Sequence, residues 1–194
     1  MAQETPQGFI DVHAHIAPVS FLKEVQNSAK AFGVEVEETD GGHALTFPGL
    51  PTLRAAGGSL SETETRYEWM REQGVGSQYL AAWLDIQGYT MPPDKEADWV
   101  RLLNEHMVQT AKDAGPAFRT IAAVPMQDGE RAARELEYAV KTLGMLGVML
   151  PSDPAEVDVA DPSLGPLWAA AEELDVPVML HGASHSKWPL VGPS

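Results

Sequence analysis

Five short apolar stretches with strand character alternate with amphipathic helical stretches, and histidines stand where the first and the fifth of them end. No Gly-x-Gly-x-x-Gly or phosphate loop follows any of the five. Strands joined by helices need right-handed crossovers, so the order predicts an α/β chain with a parallel sheet. Doubly wound sheets and (β/α)8 barrels both satisfy it. The missing glycine loop disfavours a nucleotide-binding sheet, and histidines at two strand ends favour a barrel, where strand ends converge on one central site. The expected fold is the (β/α)8 TIM-barrel type, incomplete at about five of its eight strand-helix units, in a single domain over residues 1–194.

The first strand, residues 8–16, reads Gly-Phe-Ile-Asp-Val-His-Ala-His-Ile. Strand side chains alternate faces, which sets Phe9, Asp11, His13 and His15 against an apolar face of Ile10, Val12, Ala14 and Ile16. Burying a carboxylate and two imidazoles without partners costs roughly 2–7 kcal/mol per group. A metal ion would compensate, because alternate strand residues lie about 6.6 Å apart at Cα and both imidazoles can reach one ion at about 2.0–2.1 Å. Loop capping or bonds to backbone carbonyls would satisfy them as well.

An excursion over 17–60 follows, containing a helix near 21–31 and a hairpin in which Val34, Val36, Leu45 and Phe47 flank Asp40-Gly41-Gly42. It leaves the first strand at its C-terminal end, the functional face of parallel α/β proteins, and is expected to act as a lid. Ser61 and Glu64 have capping-box spacing for a helix that Gly74 ends. A second strand is expected over 77–84, then a helix over 95–113 burying Trp99, Leu102, Leu103, His106, Met107 and Thr110. The third strand is 119–125. Asp128 caps a helix burying Ala132, Leu136, Ala139, Val140 and Leu143, and 147–150 is the fourth strand. Asp161-Pro162 opens the next helix, with Leu164, Leu167, Trp168, Ala171 and Leu174 on one stripe. The fifth strand is 177–180, ending at His181.

Composition narrows the partners. A net charge of −15 argues against nucleic acid and anionic membrane surfaces, leaving a small molecule as the expected ligand. With no cysteine, any metal must be held by histidine, carboxylate and water. The first residues lack a basic stretch followed by an apolar run, and there is no apolar stretch of about 18 residues, which reads as a soluble, cytoplasmic protein.

Taken together, Ile10-Asp11-Val12-His13-Ala14-His15, Asn104-Glu105, Phe118-Arg119, Ala122-Ala123-Val124-Pro125-Met126-Gln127-Asp128, Leu143-Gly144, Asp161-Pro162, Leu167-Trp168-Ala169-Ala170-Ala171-Glu172-Glu173-Leu174 and Pro177-Val178-Met179-Leu180-His181 resemble one family in order and spacing. It is the amidohydrolase-related metal-dependent decarboxylases and hydrolases, the aminocarboxymuconate-semialdehyde decarboxylase-like group. The resemblance implies a barrel that binds a divalent metal, usually zinc, at positions corresponding to His13, His15 and His181. It implies a non-oxidative decarboxylase of a small unsaturated or aromatic carboxylic acid, with a hydrolase of a lactone or amide as the alternative on the same scaffold.

The family pattern also has a histidine after the sixth strand and an aspartate after the eighth. Only 13 residues follow His181, fewer than another crossover and strand need, so the chain is expected to be truncated and inactive, with a non-catalytic metal- or partner-binding remnant as the reading of another class. It is also expected to self-associate or to be marginally stable. Arg54, on the lid, is the candidate for gripping a substrate carboxylate, and Trp83 for facing the substrate. Among the other histidines, His106 is expected to be a hydrogen-bonded core residue, His43 a solvated turn residue and His185 a loop residue. Asp11, on the inward face, is a candidate for orienting an imidazole.

Overall fold

The computed structural model describes residues 8–152 and 158–182. Its frame is a row of parallel strands: β1 (Phe9–Ile16), β4 (Val75–Ala82), β5 (Phe118–Ile121), β6 (Val148–Pro151) and β7 (Val178–His181). β4 lies between β1 and β5, and β6 pairs with β7. A parallel bridge from Ala122 to Val148 joins the two groups, with the Ala122 amide donating to the Gly147 carbonyl at 2.8 Å. Neighbours in space are thus neighbours among the five predicted strands, the order in which a (β/α)8 barrel winds.

Alternation separates the two faces. Tyr79, Ala81, Ile121, Met149 and Met179 cluster on one side, the barrel interior. The other side packs beneath α3 (Pro93–Ala114), α4 (Gly129–Lys141) and α5 (Gly165–Glu173), through Leu80, Ala82 and Phe118 in one cluster and Val148 and Leu150 in another. Asp128 caps α4 as expected, accepting the Arg131 amide at 3.0 Å, and Asp161 accepts the Ser163 amide at 2.8 Å at the turn before α5. No helix among the described residues is long and apolar enough to cross a membrane.

The excursion holds α1 (Val19–Phe32), then the antiparallel pair β2 (Glu35–Thr39) and β3 (Gly42–Thr46). Phe21, Phe32 and Phe47 set their rings edge-on to Trp99 of α3, at 5.0, 5.2 and 5.6 Å between centroids. The Trp99 indole donates to the Ile86 carbonyl at 2.7 Å. The excursion starts and ends at one point, where the Ala17 amide donates to the Leu60 carbonyl at 2.9 Å. Residues 53–56 add a further rung to the hairpin: Leu53 donates to Leu45, and Ala56 and His43 exchange backbone bonds. This rung covers His43, which is 7% exposed rather than solvated as expected from its neighbouring glycines.

Three other expectations are corrected. Ser61 does not open α2 (Thr63–Gln73): its amide is already bonded to the Gly58 carbonyl in a short 3-10 turn, its hydroxyl has no partner, and Glu62 takes the N-cap position. Leu102, His106 and Thr110 of α3 are only half-buried, whereas Glu96 and Asn104 are fully buried. Asn104 clamps the backbone beyond β5, its amide donating to the Ala123 carbonyl at 2.8 Å and its oxygen accepting the Ala123 amide at 3.0 Å.

The third lies in β1, which departs from regular alternation. Asp11 pairs with Gln78 and Ala14 with Leu80, so Val12 and His13 together oppose Tyr79 alone. This is a β-bulge, and it reverses the alternation. Asp11 consequently shares the helix-facing side with Gln78, while His15, paired with Ala81, faces the interior. Ala14 and Ile16 are buried, but Ile10 and Val12, expected on the same face, are exposed.

Glu96 accepts the Met126 amide at 3.0 Å, and its second oxygen has no partner. Burial raises its carboxyl pKa to about 8, against the lowering effect of the Met126 and Gln127 amides. The folded value lies above the unfolded one, so the folded state holds the extra proton. Stability should fall as pH rises through the window from about 4.5 to about 8, at up to about 1.4 kcal/mol per unit, and level off above it. Glu96→Gln is expected to remove that slope and to unfold at higher urea than the parent near pH 8. Parallel stability curves for the two proteins from about pH 5 to about pH 8 would refute the assignment.

Candidate metal centre

His13 and His15 come from the C-terminal half of β1 and His181 from the last residue of β7, strands separated in the row by β4, β5 and β6. Curvature of the sheet brings them together. His15 Nε2 lies 3.2 Å from His13 Nε2 and 3.2 Å from His181 Nε2, and ligand atoms of all three lie within 4.8 Å of one another. Two ligand nitrogens tetrahedrally placed at about 2.0–2.1 Å from one ion would be separated by roughly 3.3 Å, so the spacing fits a shared cation. The rings stand nearly perpendicular, at 82°, 85° and 88°, so edges rather than faces converge.

Protonation fits the same purpose. His181 Nδ1 lies 2.6 Å from the Gly182 carbonyl, a contact only an N–H can make, which leaves Nε2 as the lone pair directed at the other rings. For His15, burial, then the neighbouring His181 and His13, depress the pKa to about 4. It is neutral at physiological pH. Among the described residues these three are the only cluster of three or more histidine, cysteine or carboxylate side chains able to hold a metal.

A cavity of about 540 Å³ adjoins the site, and His13, Arg54, Asp11, Arg66, Trp69 and Gln78 line it. Arg54 stands on the rung paired with β3, and its guanidinium lies 4.6 Å over the Trp83 ring. Trp83 is only 8% exposed and does not itself line the cavity. The two substrate-binding candidates thus form one stacked unit.

His106 bonds Ser20 at 2.8 Å and Glu24 at 2.9 Å, tying α3 to α1, and His185 is outside the described residues.

Residues 10–192 match the amidohydrolase family profile. The chain belongs to the amidohydrolase family. Over 183 residues it is 24% identical to the 2-amino-3-carboxymuconate-6-semialdehyde decarboxylase of Dictyostelium discoideum, covering 94% of this chain and 50% of that protein. To the gamma-resorcylate decarboxylase of a Polaromonas species it is 30% identical over 139 residues, covering 68% of this chain and 41% of the relative. The amidohydrolase chain therefore spans about half the length of the curated relatives it matches. Its fold is similar to the crystal structure of a dihydroxybenzoic acid decarboxylase from Polaromonas with bound manganese and 2-nitroresorcinol, at a TM-score of 0.65 and 22% identity, covering 91% of this chain and 50% of that one. The five parallel strands are thus part of an amidohydrolase TIM barrel.

Two residues bonded around the histidine-bearing strand went unsuspected in the sequence. Gln78 donates to Asp11 at 2.7 Å, and Arg66 donates to Gln78 at 3.1 Å and to the His15 carbonyl at 2.8 Å. Nothing local distinguishes an arginine within an otherwise polar helix, and the only hint at Gln78 is an amide amid apolar strand residues.

Proposed function

We propose that His13, His15 and His181 hold a divalent metal ion and that the chain is of the decarboxylating branch of the amidohydrolases, acting on a small aromatic or unsaturated carboxylic acid. The observation that carries this is the approach of both outer Nε2 atoms to His15 Nε2 at 3.2 Å, with His181 locked to present its lone pair. When bound, such an ion supplies Lewis acidity and positive charge to an anionic substrate. Arg54 is placed to grip a carboxylate with two parallel bonds, and Trp83 holds its guanidinium by a cation–π contact. The excursion over 17–60 forms the wall that carries Arg54.

The relatives named above are decarboxylases, which supports the lyase reading over hydrolysis. Zinc is the expected ion, because imidazole sites bind zinc more tightly than manganese, although the similar crystal structure holds manganese. Equilibrium dialysis of the 194-residue protein against each ion, followed by elemental analysis, tests both statements. One ion per chain, with zinc displacing manganese, is the expected result. No retention of either ion would overturn the metal reading.

The chain by itself is proposed to lack turnover and to self-associate. The outermost strands β1 and β7 leave Phe9 79% and Leu180 53% exposed, and unpaired edges with apolar side chains invite further pairing.

A further inference from the structure

We propose that Asp11, Gln78 and Arg66 form a positioning relay that holds the β1 bulge and so aims His13 and His15 at one ion. The proposal rests on the reading of the three histidines as a metal site. The bulge sets Val12 and His13 against one residue of β4, which takes the His13 N–H out of the regular ladder. Asp11 Oδ1 accepts that N–H at 3.0 Å. Without this acceptor, β1 could shed the unpaired amide by sliding into plain register, and a one-residue slip turns a strand's side chains to the opposite face. With Asp11 still opposite Gln78, His13 and His15 would then stand opposite Leu80 and Ala82, on the helix-facing side and away from His181.

Each further bond is directional. Asp11 Oδ2 accepts from Gln78 Nε2 at 2.7 Å, and Gln78 Oε1 accepts from Arg66 Nη1 at 3.1 Å. Arg66 Nη2 then donates to the His15 carbonyl and to the Ser59 carbonyl, both at 2.8 Å. The relay starts on the backbone of one histidine and ends on the backbone of the other. Gln78, 2% exposed, sits between a carboxylate and a guanidinium, where the side chain must donate at one end and accept at the other. A glutamine does this; a glutamate, leucine or methionine does not. Its side chain bonds Asp11 and Arg66 and neither histidine ring, so the relay acts through the backbone of β1 and not by touching the ion.

The test uses the 194-residue protein with Co²⁺ as the probe, because its visible absorption reports coordination geometry. Gln78→Glu sets two carboxylates against each other, and Asp11→Asn sets an amide donor against the Gln78 amide. Each is expected to weaken Co²⁺ binding about tenfold or more, the range seen when groups supporting metal ligands are removed, and to alter the absorption spectrum. The double variant Asp11→Asn/Gln78→Glu reverses one bond and keeps all the others, so it should recover both affinity and spectrum. Arg66→Lys keeps the charge, loses the fork, and should show a smaller loss even if the single carboxylate variants fail to fold. Unchanged affinity in Arg66→Lys and Gln78→Glu, or a double variant no better than the singles, would overturn the relay. His13→Ala separates the two ideas: if it binds Co²⁺ like the parent, the metal reading itself has failed, whereas loss in His13→Ala beside full binding in Gln78→Glu removes the relay alone.

Discussion

Saturated with zinc or manganese and mixed with small aromatic or unsaturated carboxylic acids, the 194-residue chain is expected to release carbon dioxide no faster than buffer. Three imidazoles can hold an ion, but among the described residues no carboxylate joins their cluster to manage protons beside it. Asp11, the carboxylate nearest in sequence, is turned to the helix side by the bulge and is engaged by Gln78 and the His13 amide. Loss of members of a catalytic unit commonly costs factors of about 10⁴ or more. Turnover at about 1–10³ per second would show that the described residues suffice. Hydrolysis of a lactone or amide without carbon dioxide release would move the chain to the other branch of the family.

His15→Ala should have the largest effect on metal binding. His15 is the imidazole whose Nε2 lies 3.2 Å from that of each of the other two. Because it stays neutral down to about pH 4, protons do not compete for it under ordinary conditions, and its removal takes away the one imidazole shared by both pairs. An affinity loss of about a hundredfold or more is expected, at or beyond the upper end of the 10–100-fold typical of outer supporting groups. Competition with a chromophoric chelator would measure it, and circular dichroism would show whether the fold persists. His106→Ala, which breaks the link to Glu24 and Ser20, should leave metal affinity unchanged. Equal affinity in His15→Ala and the parent would mean that an ion, if bound at all, sits elsewhere.

Much of this protein follows from contacts a few residues long. The strand ending in His13 and His15, the caps at Asp128 and Asp161 and the glycine that ends α2 were legible because capping, alternation and helical periodicity act within one or two turns. Strand order was legible too, since right-handed crossovers place successive parallel strands side by side. Histidines at two strand ends suggested a common centre, but that His181 joins His13 and His15 as ligands of one ion came only through the resemblance, as no local signal spans 166 positions.

The tertiary structure decided the rest. It alone determined that β1 bulges between Asp11 and Ala14, because a bulge depends on which residues of β4 stand opposite. It buried His43 by laying residues 53–56 across β3, where the neighbouring glycines had suggested solvent. It buried Asn104, which lies outside the apolar stripe expected of its helix, as a clamp on Ala123, and it joined Arg66 to Gln78 and to the His15 carbonyl across 12 and 51 positions. At Asn104 and Arg66 a polar group is satisfied by a partner distant in sequence. A buried donor or acceptor must find some partner, and only the packed chain sets which one lies within reach.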